Sequence, residues 1–153
     1  MIEVNAMAPH FSLFDGGGNL VSLESFHGQK VVLAFFPAAF TGVCTTELCT
    51  LRDSLSRLEE LGATIVAISV DARFSNSAFA KANQISFPIL SDYTRETVRA
   101  YGVAHDDFAG MSGYTAAKRS VFIVDADGRV EYTWCAPNPG VEPDYAALEA
   151  ALG

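Results

Sequence analysis

Cys44 comes directly after an apolar stretch and at the start of a segment with helical periodicity. A thiol in the first turn of a helix lies beside unpaired backbone N–H groups and the positive end of the helix dipole, which stabilise a thiolate. Thr41 brings a hydroxyl over the same turn, and Pro37 ends the apolar stretch and shapes a pocket wall. This order of residues is typical of a nucleophilic cysteine. The alternative is that Cys44 packs as a small apolar residue and Thr41 is an ordinary N-cap.

Two further cysteines, Cys49 and Cys135, bring the total to three. An odd number does not suit a scaffold of paired disulfides. Residues 1–5 lack the basic and apolar regions of a secretory signal, so we expect the chain to work in the reducing cytoplasm. The sequence therefore predicts free thiols with chemical or packing roles.

Alternating strands and helices must position Cys44. Residues 31–36 are a run of apolar, β-branched and aromatic side chains, which predicts a central strand buried on both faces. Leucines recur every three or four residues up to Leu61 and Gly62 follows, which predicts one long amphipathic helix over 41–61. The remaining predicted elements are hairpin strands at 11–13 and 20–23, strands at 64–70 and 87–90, helices at 75–83 and 94–101, a second hairpin at 120–124 and 130–134, and a helix at 145–152.

This pattern predicts an α/β fold with a mixed central sheet flanked by helices and preceded by an N-terminal β-hairpin. A chain of 153 residues is long enough for one core, so we expect a single domain over 1–153. Open α/β sheets place their sites where a helix begins after a central strand, which is the location of Cys44.

Composition excludes several functions. Eighteen acidic against ten basic residues give a formal net charge of −8, which argues against nucleic acid or an anionic membrane as a partner. The longest apolar stretch, interrupted by Pro37, is too short to cross a bilayer. Histidines occur singly, and the glycines at 16–18 lack the context of a phosphate loop, so we expect neither a metal nor another cofactor.

The spacing Pro-x-x-x-Thr-x-x-Cys, formed by Pro37, Thr41 and Cys44, resembles the signature of the peroxiredoxin family. Further short matches follow in the same order along almost the whole chain, at Ala8–Leu13, Phe35–Pro37, Leu51–Asp53, Phe87–Asp92, Ala100–Val103 and Arg119–Asp125. The resemblance implies a thioredoxin-like fold and the reduction of hydroperoxides. By position it implies that Cys44 is the peroxidatic cysteine, Thr41 the peroxide-orienting hydroxyl, Pro37 the pocket proline and Arg119 the cation.

The chemistry of peroxide reduction agrees with these roles. When a thiolate attacks a peroxide, negative charge moves from sulfur to the leaving oxygen, so hydrogen-bond donors must face both oxygens. Thr41, the first-turn N–H groups and the planar guanidinium of Arg119 are suitable donors, although from the residues alone Arg119 is more simply a surface residue before a strand. Glu47, one turn after Cys44, either fixes this arginine or lies on a solvated helix face.

The sulfenic acid formed on Cys44 must be resolved by another thiol before it over-oxidises. Cys49, five residues later, resembles the resolving cysteine of the bacterioferritin-comigratory or Q-type branch, whose disulfide is recycled by a thioredoxin-like reductant. Residues 39–44 are more similar to the one-cysteine, AhpE-like branch, which relies on an external, low-molecular-weight thiol. In that alternative Cys49 is a packing residue, and we expect Cys135 to be one in either case.

The sequence thus predicts a thiol peroxidase for hydrogen peroxide and organic hydroperoxides, acting as a monomer or homodimer. The alternatives are a thiol–disulfide oxidoreductase, although four residues instead of two separate Cys44 and Cys49, and a non-catalytic binding module. In a regular helix these two Cα atoms lie roughly 8–9 Å apart. A disulfide needs a separation below about 7 Å, so we expect this helix to unwind before the bond closes.

Overall fold

The computed structural model describes all 153 residues. The strands are β1 (Ser12–Phe14), β2 (Leu20–Ser22), β3 (Lys30–Phe35), β4 (Ala63–Ser69), β5 (Ile89–Ser91), β6 (Ala104–His105), β7 (Ala116–Ala117), β8 (Ser120–Val124) and β9 (Val130–Cys135). The helices are α1 (Gly42–Asp53), α2 (Leu55–Glu60), α3 (Arg73–Ala82), α4 (Glu96–Ala100) and α5 (Tyr145–Leu152), with short 3₁₀ turns at Leu23–Phe26 and Phe108–Gly110.

Seven strands form one mixed sheet in the order β2-β1-β5-β4-β3-β8-β9, and β6 pairs with β7 in a separate two-stranded ribbon. The central strands β3, β4 and β5 are parallel, and β8 runs antiparallel to β3. The N-terminal hairpin of β1 and β2 extends the sheet beside β5 through the pair Phe14 and Ser91. The predicted α/β fold with a mixed sheet, flanking helices and an N-terminal hairpin is therefore confirmed.

The sheet is covered on both faces, as the apolar character of its central strands requires. Val31, Leu33 and Phe35 of β3 point into a core that includes α4, whereas Val32 and Ala34 point into a core with α1, α2, α3 and α5. No helix of the chain has the length and apolar character needed to cross a membrane.

The single long helix predicted over 41–61 is wrong, because Ser54 divides it into α1 and α2. Ser54 adopts φ −92° and ψ −2°, at the edge of the right-handed helical region, and serine is a weak helix former. Leu51 and Leu58 are buried on either side of this break. The leucine spacing therefore identified the buried face correctly, but it carries no information about the interruption at Ser54. Gly62, with φ +80°, ends α2 as expected.

Candidate active site

Cys44 and Arg119 meet beneath the first turn of α1. Cys44 is the third residue of α1 and is fully buried, and Arg119 immediately precedes β8, the antiparallel neighbour of β3. The Arg119 Nη2 atom donates a hydrogen bond to Cys44 Sγ at 3.1 Å, and Arg119 is only 2% exposed. A guanidinium in a site shielded from water interacts strongly with negative charge on the sulfur. The two elements thus place a fixed cation against the thiol.

Glu47 is the second partner of this guanidinium. Its Oε2 atom accepts from Arg119 Nη1 at 2.5 Å, while its Oε1 atom has no hydrogen-bond partner. Complete burial raises the pKa of Glu47 to about 7, and the Arg119 cation opposes that rise. Burial also acts to lower the pKa of Arg119, but the charges of Glu47 and Cys44 outweigh it and raise that pKa. The structure excludes the solvated alternative for Glu47.

A backbone carbonyl is the third hydrogen-bond acceptor of the Arg119 side chain. The Pro139 oxygen accepts hydrogen bonds from Arg119 Nε at 3.3 Å and from Nη2 at 3.0 Å. The Arg119 carbonyl in turn accepts from the Ala136 N–H at 2.9 Å. Sequence reasoning missed Pro139, because a carbonyl acceptor belongs to every residue type and leaves no signal in the sequence. The Arg119 side chain is held by sulfur, carboxylate and carbonyl together, so its orientation is fixed within the protein.

Thr41 is the exposed N-cap of α1, with an extended backbone at φ −89° and ψ 152°. Its hydroxyl does not cap the helix but donates to the Ala38 carbonyl at 2.7 Å. Because the hydroxyl proton is already engaged, the oxygen can act only as an acceptor toward further partners. The sequence predicted Thr41 as a hydrogen-bond donor, whereas in the structure its hydroxyl proton goes to Ala38 and its oxygen is left as an acceptor.

The loop between β3 and α1 is fixed by its neighbours. Pro37 is buried after the end of β3, and the Ala39 N–H donates to Asp71 Oδ2 at 2.8 Å. Phe40 adopts a left-handed φ of 64° and packs its exposed ring edge-on against Phe79, with centroids 5.2 Å apart. Sequence reasoning missed Asp71, although its place after β4, at the carboxyl edge shared with β3, is a usable signal.

All three cysteines are free thiols, and of these only Cys44 is fully buried. Cys49 is half-buried and its Sγ approaches Asn83 Oδ1 at 3.7 Å. Cys135 of β9 pairs with Ser120 of β8. The next residue of β8, Val121, packs its side chain in the core that contains Cys44. Because side chains alternate along a strand, Cys135 points to the opposite face of the sheet.

Residues 4–133 match the AhpC/TSA family. The chain is 35% identical over 134 residues to the peroxiredoxin Bcp of Escherichia coli, covering 87% of this chain and 85% of that one. The structure of the peroxidoxin BcpB from Mycobacterium tuberculosis aligns with a TM-score of 0.87 at 27% identity, over 99% of this chain and 97% of that one. The bacterioferritin comigratory protein of Xanthomonas campestris, studied for its alkyl peroxide reduction activity, aligns with a TM-score of 0.81 at 26% identity, over 93% and 89% of the two chains.

These similarities confirm the thioredoxin-like fold and the resemblance on which the sequence prediction depended. Peroxiredoxins act on hydroperoxide substrates. The chain therefore belongs to the AhpC/TSA family and is a peroxiredoxin, a thiol-dependent peroxidase.

Proposed function

We propose that Cys44 is the peroxidatic cysteine and that Thr41 and Arg119 bind the peroxide against it. Pro37 forms part of the pocket wall, and Glu47 holds the arginine. The observation that carries this proposal is the 3.1 Å contact between Arg119 Nη2 and Cys44 Sγ, both shielded from solvent at the start of α1. It supplies a thiolate-stabilising charge at the position where the oxygen–oxygen bond must break.

In the first step the Cys44 thiolate attacks the terminal oxygen of the hydroperoxide. An S–O bond forms, the O–O bond breaks, sulfur is oxidised by two electrons, and the leaving oxygen takes up a proton and departs as an alcohol or water. Thr41 accepts the hydrogen bond of the attacked O–H group. Arg119 and the first-turn N–H groups stabilise the charge as it moves off the sulfur. The product is a sulfenic acid on Cys44.

In the second step Cys49 resolves the sulfenic acid. Its thiolate attacks Cys44 Sγ, an S–S bond forms, the S–O bond breaks, and hydroxide leaves as water after protonation. A thioredoxin-like dithiol then reduces the disulfide. The position of Cys49 on the same helix supports this step, and so do the side chains of Thr45 and Thr46, which donate to the carbonyls of Thr41 and Gly42 at 2.8 and 3.1 Å. Such bonds to a preceding turn weaken a helix and favour its unwinding.

Replacing the nucleophile tests the first step. We expect Cys44→Ser to abolish peroxide consumption, because a serine hydroxyl stays protonated at neutral pH. Cys135→Ser is the matched control, since Cys135 faces the other side of the sheet, and it should keep normal turnover. Normal turnover by Cys44→Ser, with loss of turnover in Cys49→Ser or Cys135→Ser, would show that the nucleophile is misassigned.

Mass spectrometry after one equivalent of peroxide, without reductant, tests the second step. We expect a Cys44–Cys49 disulfide and a selective rise in amide hydrogen exchange over residues 44–52. If exchange stays flat and Cys44 carries only sulfenic acid or an external-thiol adduct, the protein is a one-cysteine peroxidase. Cys49 then has a packing role beside Asn83.

A further inference from the structure

Asn83, the C-cap residue of α3, ties the second half of α1 to the end of α3. Its Nδ2 atom donates to the Phe79 carbonyl at 3.0 Å, and its Oδ1 atom accepts from Cys49 Sγ at 3.7 Å. Its backbone oxygen accepts from Arg52 Nη1 at 2.5 Å. We refer to Cys49, Arg52 and Asn83 as the clasp. Both ends of the Asn83 amide are therefore committed within the protein, and one of them is committed to Cys49.

The two bonds of the clasp differ in strength. A thiol is a weak donor, whereas the guanidinium makes a charge-assisted bond to the Asn83 carbonyl. Under strain the Cys49 contact therefore breaks before the Arg52 contact. Arg52 lies one turn beyond Cys49, so it keeps the end of α1 in place while the turn between Cys44 and Cys49 unwinds. Release of the thiol from Asn83 is then a required part of the movement toward Cys44.

We propose that Asn83 is a positioning residue that holds the Cys49 thiol away from Cys44 and so sets the rate of disulfide formation. The inference rests on the proposed function, in which Cys49 attacks the sulfenic acid on Cys44 and hydroxide departs. A sulfenic acid that waits longer is exposed to a second peroxide, which oxidises it to sulfinic acid. Asn83 therefore also determines how much peroxide the enzyme tolerates before Cys44 is lost.

Two substitutions at this position should act in opposite directions. Asn83→Ala removes the acceptor of the Cys49 thiol, and we expect disulfide formation to become about threefold faster, the effect of losing one weak hydrogen bond. Asn83→Asp keeps an acceptor but makes it anionic, so it binds the thiol proton more tightly and disfavours the Cys49 thiolate that must attack. We expect disulfide formation in Asn83→Asp to become about fivefold slower.

Rapid quenching with an alkylating agent, followed by mass spectrometry, separates the two steps. Oxidation of Cys44 should be unchanged in both variants, because Asn83 makes no hydrogen bond to the Cys44 and Arg119 site. Gln84→Ala is the matched control, since Gln84 is the exposed neighbouring amide. With reductant present, the peroxide concentration that converts half of Cys44 to sulfinic acid should rise in Asn83→Ala and fall in Asn83→Asp.

The outcomes distinguish this inference from the proposed function. If wild type forms no Cys44–Cys49 disulfide, the resolving role of Cys49 fails and the inference fails with it. If the disulfide forms at one rate in wild type and both Asn83 variants, Cys49 remains the resolving cysteine and the role of Asn83 is overturned. Equal acceleration in both variants would overturn it as well, because it would mean that Asn83 only stabilises the end of α3.

Discussion

The two cysteines of α1 occupy opposite surroundings on one helix. Cys44 is fully buried against Arg119, whose guanidinium also bonds the buried carboxylate of Glu47 at 2.5 Å. Cys49 is half-buried and has only a weak contact with Asn83 at 3.7 Å. Charge and burial fix the first thiol, while a neutral contact at the protein's edge holds the second. The helix thus carries one buried, charge-paired thiol and one half-buried thiol with a weak contact.

The difference shows what holds the first turn of α1 in place. Thr45 and Thr46 are poor helix formers and bond their hydroxyls to the preceding turn, so local propensity contributes little there. The contact between Arg119 and the Cys44 sulfur contributes instead, and it is strongest when the sulfur is a thiolate. Oxidation to a neutral sulfenic acid removes that charge. In the proposed mechanism, the oxidation of Cys44 therefore weakens the helix that must unwind for Cys49 to reach it.

The largest effect is expected from Arg119→Met, which removes the cation beside Cys44. Removing one preorganised donor at a reacting centre lowers rates by about 10²–10³, and we expect that loss in the second-order rate constant of Cys44 oxidation. Stopped-flow mixing with hydrogen peroxide measures it. Arg129→Met is the control, because Arg129 is exposed and its side chain bonds only the Asn5 carbonyl. A rate constant equal to that of the control would remove Arg119 from the site.

A second consequence of Arg119→Met concerns stability, because it leaves the Glu47 carboxyl buried without its cation. Stranding one partner of a buried ion pair costs about 3–5 kcal/mol. The double variant Arg119→Met with Glu47→Gln should recover part of the free energy of unfolding but none of the activity. Recovery of the peroxidase rate in the double variant would contradict the catalytic role of the cation.

A smaller effect is expected from Glu47→Gln, which replaces a charge-assisted bond to Arg119 by a neutral one. We expect Cys44 oxidation to slow by about tenfold, the equivalent of about 1.4 kcal/mol.

The same variant, Glu47→Gln, tests the pH dependence of stability. The pKa of Glu47 is raised from 4.5 to about 7 in the folded protein, so between these values the native state binds more protons than the unfolded state. The free energy of unfolding contributed by this group therefore falls as pH rises through that window.

Urea unfolding between pH 4.5 and 7 measures this dependence. Glu47→Gln cannot titrate and should lose the decline, whereas Glu59→Gln, a substitution at an exposed position of α2, should keep it. A decline that persists in Glu47→Gln would have to come from other groups.

Much of the fold was predictable because burial follows from residue type. The apolar run at 31–36 corresponds to β3, and the alanine- and leucine-rich end of the chain forms α5 over Tyr145–Leu152. Of Cys44 and Arg119, only the cysteine could be predicted from local sequence patterns. Cys44 follows from its place at a strand–helix junction, but nothing local distinguishes Arg119 from a surface arginine, because its partners are 75 and 72 residues away. The resemblance to a family supplied what local patterns lacked.

Other features depend on contacts that no local pattern encodes. Asn83 lies 34 residues from Cys49 and is an ordinary C-cap by its spacing. The Pro139 carbonyl contributes through its backbone alone, and the left-handed Phe40 is an unusual choice for that conformation. Tertiary packing decides such positions, and the sequence of one chain does not reveal them.

The smallest effect should come from strengthening the turn that separates the two thiols, by Thr46→Ala. Thr46 is exposed, and alanine both raises helix propensity and removes the bond to the Gly42 carbonyl. The gain is about 0.6 kcal/mol, which corresponds to roughly threefold slower disulfide formation. Quenched-flow alkylation measures that rate. Ser56→Ala is the matched control, because it gains similar helix propensity at an exposed site of α2, beyond both cysteines.

Oxidation of Cys44 itself should be unchanged in Thr46→Ala, because its contact with Arg119 does not involve Thr46. A slower resolving step at constant first-step rate would raise the sulfinic acid formed at high peroxide, in the direction opposite to Asn83→Ala. If Thr46→Ala and Ser56→Ala slow disulfide formation equally, helix stability outside the segment 44–49 controls the reaction. If neither changes it, unwinding of α1 is not rate-limiting, and the attack of Cys49 on the sulfenic acid limits the resolving step instead.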